Sequence, residues 1–90
     1  MQTIKCTGAL RRFFPTLKDE AVKGDTVADA IAQFEQSYPG ISDYLLDEQG
    51  ALRKHVNIFI GGQLIQDRIH LKDKLEEGSE ILIFQALSGG

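Results

Sequence analysis

The sequence predicts an α+β domain: a mixed sheet with one main helix packed across it and a flexible Gly-Gly tail. Three observations predict it. A single apolar stripe has helical spacing, and it stands among segments with the composition of strands. The elements run strand, strand, helix, strand, strand, strand. The last apolar segment leads directly into Leu87-Ser88-Gly89-Gly90.

Each element has a local reason. Residues 2–7 (QTIKCT) carry β-branched side chains and read as the first strand, which Gly8 breaks. Residues 9–15 (ALRRFFP) read as a loop with room for a short turn of helix, closed by Pro15. Residues 16–23 have the composition for a second strand, and Gly24-Asp25 is a turn signal. Thr26 is a suitable N-cap, and Asp29 three residues on makes a weak capping box. Val27, Ala30, Ile31, Phe34 and Tyr38 then mark one helix face. Pro39-Gly40 stops that helix, since Pro lacks an N–H and Gly tolerates left-handed geometry. Residues 41–46 fit a further short turn of helix, and residues 47–50 a loop.

The second half is a set of strands and turns. Residues 53–60 alternate, with Val56, Ile58 and Ile60 on one side and His55, Asn57 and Phe59 on the other. Gly61-Gly62 reads as a tight hairpin turn into Gln63-Leu64-Ile65. Residues 68–77 scatter Ile69, Leu71 and Leu75 among charges, and Gly78-Ser79 is another turn. Residues 80–86 form the last strand. Four consecutive apolar residues at 81–84 suit a central strand, covered on one face or on both. The first and last strands both look central and are expected to be neighbours. A helix across a mixed sheet of this order is the β-grasp arrangement. The expected organisation is one domain over residues 1–86 and a tail over 87–90.

Composition narrows the function. Ninety residues suffice for one core, and the net charge is −3. The ten basic residues are scattered, with Arg11-Arg12 and Arg53-Lys54 the only adjacent pairs, which argues against a nucleic-acid footprint. Cys6 is the single cysteine, so no internal disulfide forms. No leader pattern and no membrane-length apolar run is present, and the expectation is a cytoplasmic protein.

The side chains offer little catalytic chemistry. Cys6 on a strand reads as a small buried hydrophobe rather than a sulfur relay. His55 and His70 lack partners at metal-ligand spacing, so no metal site is expected. His55 with Asp43 or Asp47 has no nucleophile. Gly61-Gly62 lacks the Lys-Ser/Thr of a phosphate loop. No catalytic residue is expected.

The C-terminus is the sharpest feature. With nine glycines in ninety residues, chance ends a chain in Gly-Gly only about 1% of the time. A Gly-Gly end has no Cβ to block passage through a narrow channel. Its α-carboxylate is unhindered and open to adenylation, after which a sulfur donor can displace the adenylate. The bland alternative is an ordinary small, mobile terminus.

The last 35 residues, from Val56 to Gly90, resemble the end of the MoaD/ThiS family of ubiquitin-like sulfur carriers. The pattern is Val56-Asn57, the Gly61-Gly62 turn, Leu71-Lys72-Asp73-Lys74-Leu75-Glu76-Glu77-Gly78-Ser79, the apolar strand with Phe84, and Gly89-Gly90 at the end. Gly24-Asp25-Thr26-Val27 at the helix start also fits. Within the family, Tyr38-Pro39-Gly40-Ile41 with Asp43, Leu45 and Leu46, together with residues 56–60, is most similar to the carriers of cysteine biosynthesis.

The resemblance implies that Gly90 becomes adenylated and then thiocarboxylated, and that Gly89 gives access. It implies that Phe84, Leu87 and Ile60 pack against a partner. Against this, Phe84 and Ile60 could simply fill the core, so Leu87, beyond the strand, is the better docking residue. The family often has an aromatic on the partner-facing side of the first strand; here that stretch is Lys5-Cys6-Thr7. The implied partners are an E1-like adenylating enzyme that consumes ATP, a sulfur donor, and a sulfur-accepting synthase, of cysteine biosynthesis first, with molybdopterin or thiazole biosynthesis as the alternatives. The chain itself would bind no cofactor. Two alternatives stand: a ubiquitin-like modifier conjugated through Gly90, and a β-grasp interaction module whose Gly-Gly end is incidental.

Overall fold

The computed structural model describes residues 1–85. The chain order is β1 (Gln2–Cys6), a 3-10 turn (Gly8–Arg12), β2 (Glu20–Val22), α1 (Val27–Ser37), α2 (Ile41–Leu45), β3 (Val56–Ile60), β4 (Gln63–Leu64) and β5 (Glu80–Gln85). The five strands make one sheet in the order β2-β1-β5-β3-β4. β1 and β5 are neighbours, as expected, and run parallel; the remaining pairs are antiparallel.

The helix forms where its stripe predicts. Thr26 accepts from the Asp29 N–H while Asp29 accepts from the Thr26 N–H, so both halves of the capping box are present. The next two helix N–H groups, of Val27 and Ala28, donate to the Asp73 and Leu71 carbonyls. The otherwise orphaned donors of this terminus are thus satisfied by the chain segment that leads to β5. Val27, Ala30, Ile31 and Phe34 are buried against the sheet. Glu35, on the polar side of α1, accepts from the Gly40 and Ser42 N–H groups and so caps α2. Those bonds, the Gly40 one foremost, hold its carboxyl below the ordinary range.

Two loops fix the register of the second half. Gly61 and Gly62 both have positive φ, 56° and 86°, and join Ile60 to its partner Gln63 by a two-residue turn. Positive φ at both central residues is what this hairpin turn needs. Residues 66–73 are ordered by two carboxylates. Asp67 accepts from the Ile69, His70 and Lys72 N–H groups, and Asp73 accepts from those of Gln66 and Asp67. Leu71, buried in this loop, has φ 57°. The Asp67 acid is held below its ordinary range, the His70 N–H being the largest cause.

The core lies between one sheet face and the helices. Ile4, Val56, Ile58, Ile81 and Ile83 point into it from three central strands. The run at 81–84 is therefore central but covered on one face only: Ile81 and Ile83 are 1% and 0% exposed, Leu82 and Phe84 37% and 43%.

Candidate functional site

The three tail residues singled out in the sequence, Leu87, Gly89 and Gly90, lie outside the described residues. What the structure gives is the platform that delivers them. β5 is the central strand, gripped by β1 on one side and by β3 on the other. Gln85 closes it, with its N–H donating to the Thr7 hydroxyl and its amide 3.5 Å from the His55 ring. The described chain therefore ends at Gln85, at the end of the central strand.

The uncovered face of the sheet carries the apolar groups. Cross-strand pairing puts Lys5 opposite Leu82, Leu82 opposite Phe59, and Phe59 opposite Leu64. These four side chains form one row across four strands. Phe84 follows in the next row, opposite Asn57. Leu64 is 55% exposed, and Phe59 is half-buried. Phe59, Leu82, Gly61, Gly62 and Glu80 line a hollow of about 400 Å³ at the hairpin end of this face. Lys5 bonds Glu80 at 3.3 Å along its margin. An aligned row of exposed Leu and Phe on a strand otherwise packed in the centre of a sheet is the usual signature of an interaction surface.

Sequence reasoning placed Phe84 and Ile60 in one docking group, and the sheet divides them. Ile60 pairs with Ile81 and points to the core side, where it is partly buried against the core. Filling the core accounts for Ile60 and does not account for Phe84. The sequence reading missed Leu82, Phe59 and Leu64 as members of the exposed row. The available signal was the alternation within residues 81–84: whichever pair faces the helix, the other pair faces away.

Behind the face, Arg68 ties the start of β3 in place. Its guanidinium donates to the carbonyls of Arg53 (2.7 Å) and Val56 (2.9 Å) and to the Asn57 side chain (3.2 Å). Asn57, part of the Val-Asn pair, is thus a structural acceptor beside Phe84. Cys6 lies half-buried on the core side of β1. Burial, and then the Asp19 carboxylate, push its thiol up to about 12 against a small opposing effect of Arg11. A thiol held protonated in this way is a poor nucleophile. Among the described residues no group of three or more His, Cys, Asp or Glu side chains could hold a metal. No helix among them is long and apolar enough to cross a membrane.

A single sheet gripping one helix, with an apolar open face beside the strand that leads to the C-terminus, defines a ubiquitin-like β-grasp protein. The chain belongs to the ThiS family, whose model matches residues 4–90. It is 29% identical over 90 residues to the sulfur carrier protein CysO of Mycobacterium tuberculosis, covering 98% of this chain and 97% of the relative. It is 28% identical over 65 residues to small archaeal modifier protein 3 of Haloferax volcanii, covering 72% and 70%. Among solved structures it is similar to a chain of the Amycolatopsis orientalis BexX/CysO complex, with a TM-score of 0.85, 24% identity and full coverage of both chains.

Proposed function

We propose that this protein is a sulfur carrier that bears its cargo as a thiocarboxylate on Gly90. An E1-like enzyme adenylates the Gly90 carboxylate: a carboxylate oxygen attacks the α-phosphorus of ATP and pyrophosphate leaves. Sulfide then attacks the acyl carbon and AMP leaves, so that one oxygen has been replaced by sulfur. A sulfur-accepting synthase takes the sulfur, in cysteine biosynthesis by the resemblance to those carriers. The chain acts as a co-substrate of both enzymes rather than as a catalyst.

The observation that carries this reading is the open-face row of exposed Leu82, half-buried Phe59 and exposed Leu64, with exposed Phe84 beside it on the strand that leads to Gly89-Gly90. A partner docked on that face holds the carrier while the tail enters its active site. Phe84 is the central contact of this proposal, with Leu87 on the path of the tail. Ile60 contributes only where a partner also wraps the β3–β4 hairpin. The family membership and the CysO relative support the same reading.

Intact-mass spectrometry tests it, after incubation of the protein with ATP, sulfide and an E1-like enzyme of the same cell. The expected result is a gain equal to exchanging one oxygen for sulfur, localised to Gly90 and absent when Gly90 is deleted. No gain, with the enzyme competent on a known partner, overturns it. The modifier reading is favoured by one observation, the similarity to an archaeal protein named a modifier. It predicts isopeptide adducts through Gly90 on lysines.

A further inference from the structure

Asn57 stands on the open face of the sheet, at the border of its apolar row. Antiparallel pairing sets it directly opposite Phe84. Phe59, two positions along β3, lies on the same face. Asn57 is half-buried beside an exposed ring. Its side-chain amide has two unlike ends, an oxygen that accepts and an NH2 that donates. The fold decides which end faces outward.

Arg68 makes that decision. β4 is two residues long and pairs with β3 only at Phe59 and Ile60. Just beyond, the Ile65 N–H still reaches the Ile58 carbonyl. Closer to the start of β3 the Arg68 guanidinium takes over this edge. It donates to the Val56 carbonyl at 2.9 Å and to the Arg53 carbonyl at 2.7 Å. Its other terminal nitrogen donates to Asn57 Oδ1 at 3.2 Å. A guanidinium has donors and no acceptor, so it can hold the amide by its oxygen alone. The planar fork is itself held by two backbone carbonyls, and the amide is oriented with it.

The donor end of Asn57 is left over. Among the described residues its side chain enters one hydrogen bond, as the acceptor for Arg68. Among the same residues the buried side-chain nitrogen or oxygen without a partner is Gln85 Oε1, so the Asn57 nitrogen is open to water. Oxygen inward and NH2 outward, beside Phe84, is thus the arrangement that the fold imposes.

We propose that Asn57 is a specificity-determining residue of the docking face, whose amide N–H groups meet an acceptor oxygen of the enzyme that adenylates the tail, with Arg68 as the residue that positions it. The inference rests on the carrier reading for the identity of that partner. A row of Leu and Phe attracts any apolar surface and selects little. A partner that covers Phe84 also strips water from the donors beside it. One with an oxygen in register replaces that water, and one without leaves them unpaired, which weakens the wrong complex.

The test compares Asn57→Asp with the unaltered chain in the activation assay. The carboxylate keeps an oxygen for Arg68 and removes both donors. The denaturation midpoint should hold, while the KM for the carrier rises about 10-fold at unchanged kcat. An unchanged KM overturns the proposal, and so does a fall in kcat alone. Arg68→Lys keeps the charge and loses the fork. It should raise the KM about threefold in the unaltered background and add nothing to Asn57→Asp. Equal rises in both backgrounds overturn the positioning role and leave Arg68 as a support of β3. Where a variant fails to fold, the unaltered ¹⁵N-labelled chain decides. On addition of the activating enzyme, the Asn57 side-chain NH2 signals should shift together with the Phe84 amide. A shift at Phe84 with none at Asn57 overturns the proposal. An unaltered chain that is neither bound nor activated overturns the carrier reading and the proposal together, whereas a normal Asn57→Asp chain overturns the proposal alone.

Discussion

The two faces of β5 are built from the same kind of residue and meet opposite fates. Ile81 and Ile83 are sealed under α1, while Leu82 and Phe84, one position along in each case, stand in the open. Burial of an apolar side chain contributes roughly 1.5–3 kcal/mol to folding, and the outward pair forgoes much of it. The comparison teaches that hydrophobicity in this strand serves cohesion on one face only, and the function proposed above gives the other face to recognition. Substitution can separate them.

The largest effect belongs to the covered face. Ile83→Ala leaves a cavity between β1, β3 and the helix and should cost about 2–5 kcal/mol, read by chemical denaturation. A loss below about 1 kcal/mol would mean that the core side of β5 contributes much less than its burial indicates. Phe84→Ala should do the reverse. Its ring is 43% exposed, so stability should fall by no more than about 1 kcal/mol. Docking to the activating enzyme should weaken on the order of 10-fold or more, as for a central aromatic anchor. Equal losses of stability for the two variants would break the distinction between the faces.

How much of this was legible in the sequence follows the range of each interaction. The helix was legible because its cap, stripe and stop are all local: Thr26, Asp29, Phe34 and Pro39 lie within fourteen positions. The hairpin was legible for the same reason, through Gly61-Gly62. The direction of the side chains at 81–84 was not, because it depends on which pair meets Ile58 and Ile4 across the sheet, a register set over long distance. Ile60 and Phe84 were grouped by their distance from motifs, and strand parity separated them. Of the candidate site, the Gly89-Gly90 ending is a feature of the sequence outside the described residues, while the apolar row on the open face is a product of pairing.

A smaller effect tests whether α1 is held by its own cap or by the sheet. Thr26→Ala removes one half of the capping box and should cost about 1 kcal/mol, seen as a shift of the denaturation midpoint with an unchanged slope. The open face should be untouched, so docking should stay within twofold. The Val27 and Ala28 N–H groups keep their partners at Asp73 and Leu71, which limits the loss. A docking defect in this variant would show that the two faces are coupled through the helix.

The smallest effect at neutral pH, and the most specific, concerns Cys6, half-buried at the edge of the core. Its thiol is raised from 9.0 to about 12, first by burial and then by Asp19, with Arg11 acting against both. The raised value belongs to the folded chain, so the contribution to stability is fully present below about 9. It is lost as pH rises toward 12, because the unfolded thiol ionises first. Stability should therefore decline above pH 9 with a slope of at most about 1.4 kcal/mol per pH unit from this group. Cys6→Ala should remove that part of the slope while changing little at pH 7 beyond its packing. Alkylation by iodoacetamide at pH 8 should be slower in the folded chain than in urea, since the thiolate is the reacting species. Arg11→Ala should slow it further, because the one group that favours the thiolate is gone. Alkylation as fast in the folded chain as in urea would place Cys6 with the open, reactive side of the molecule instead of the sealed one.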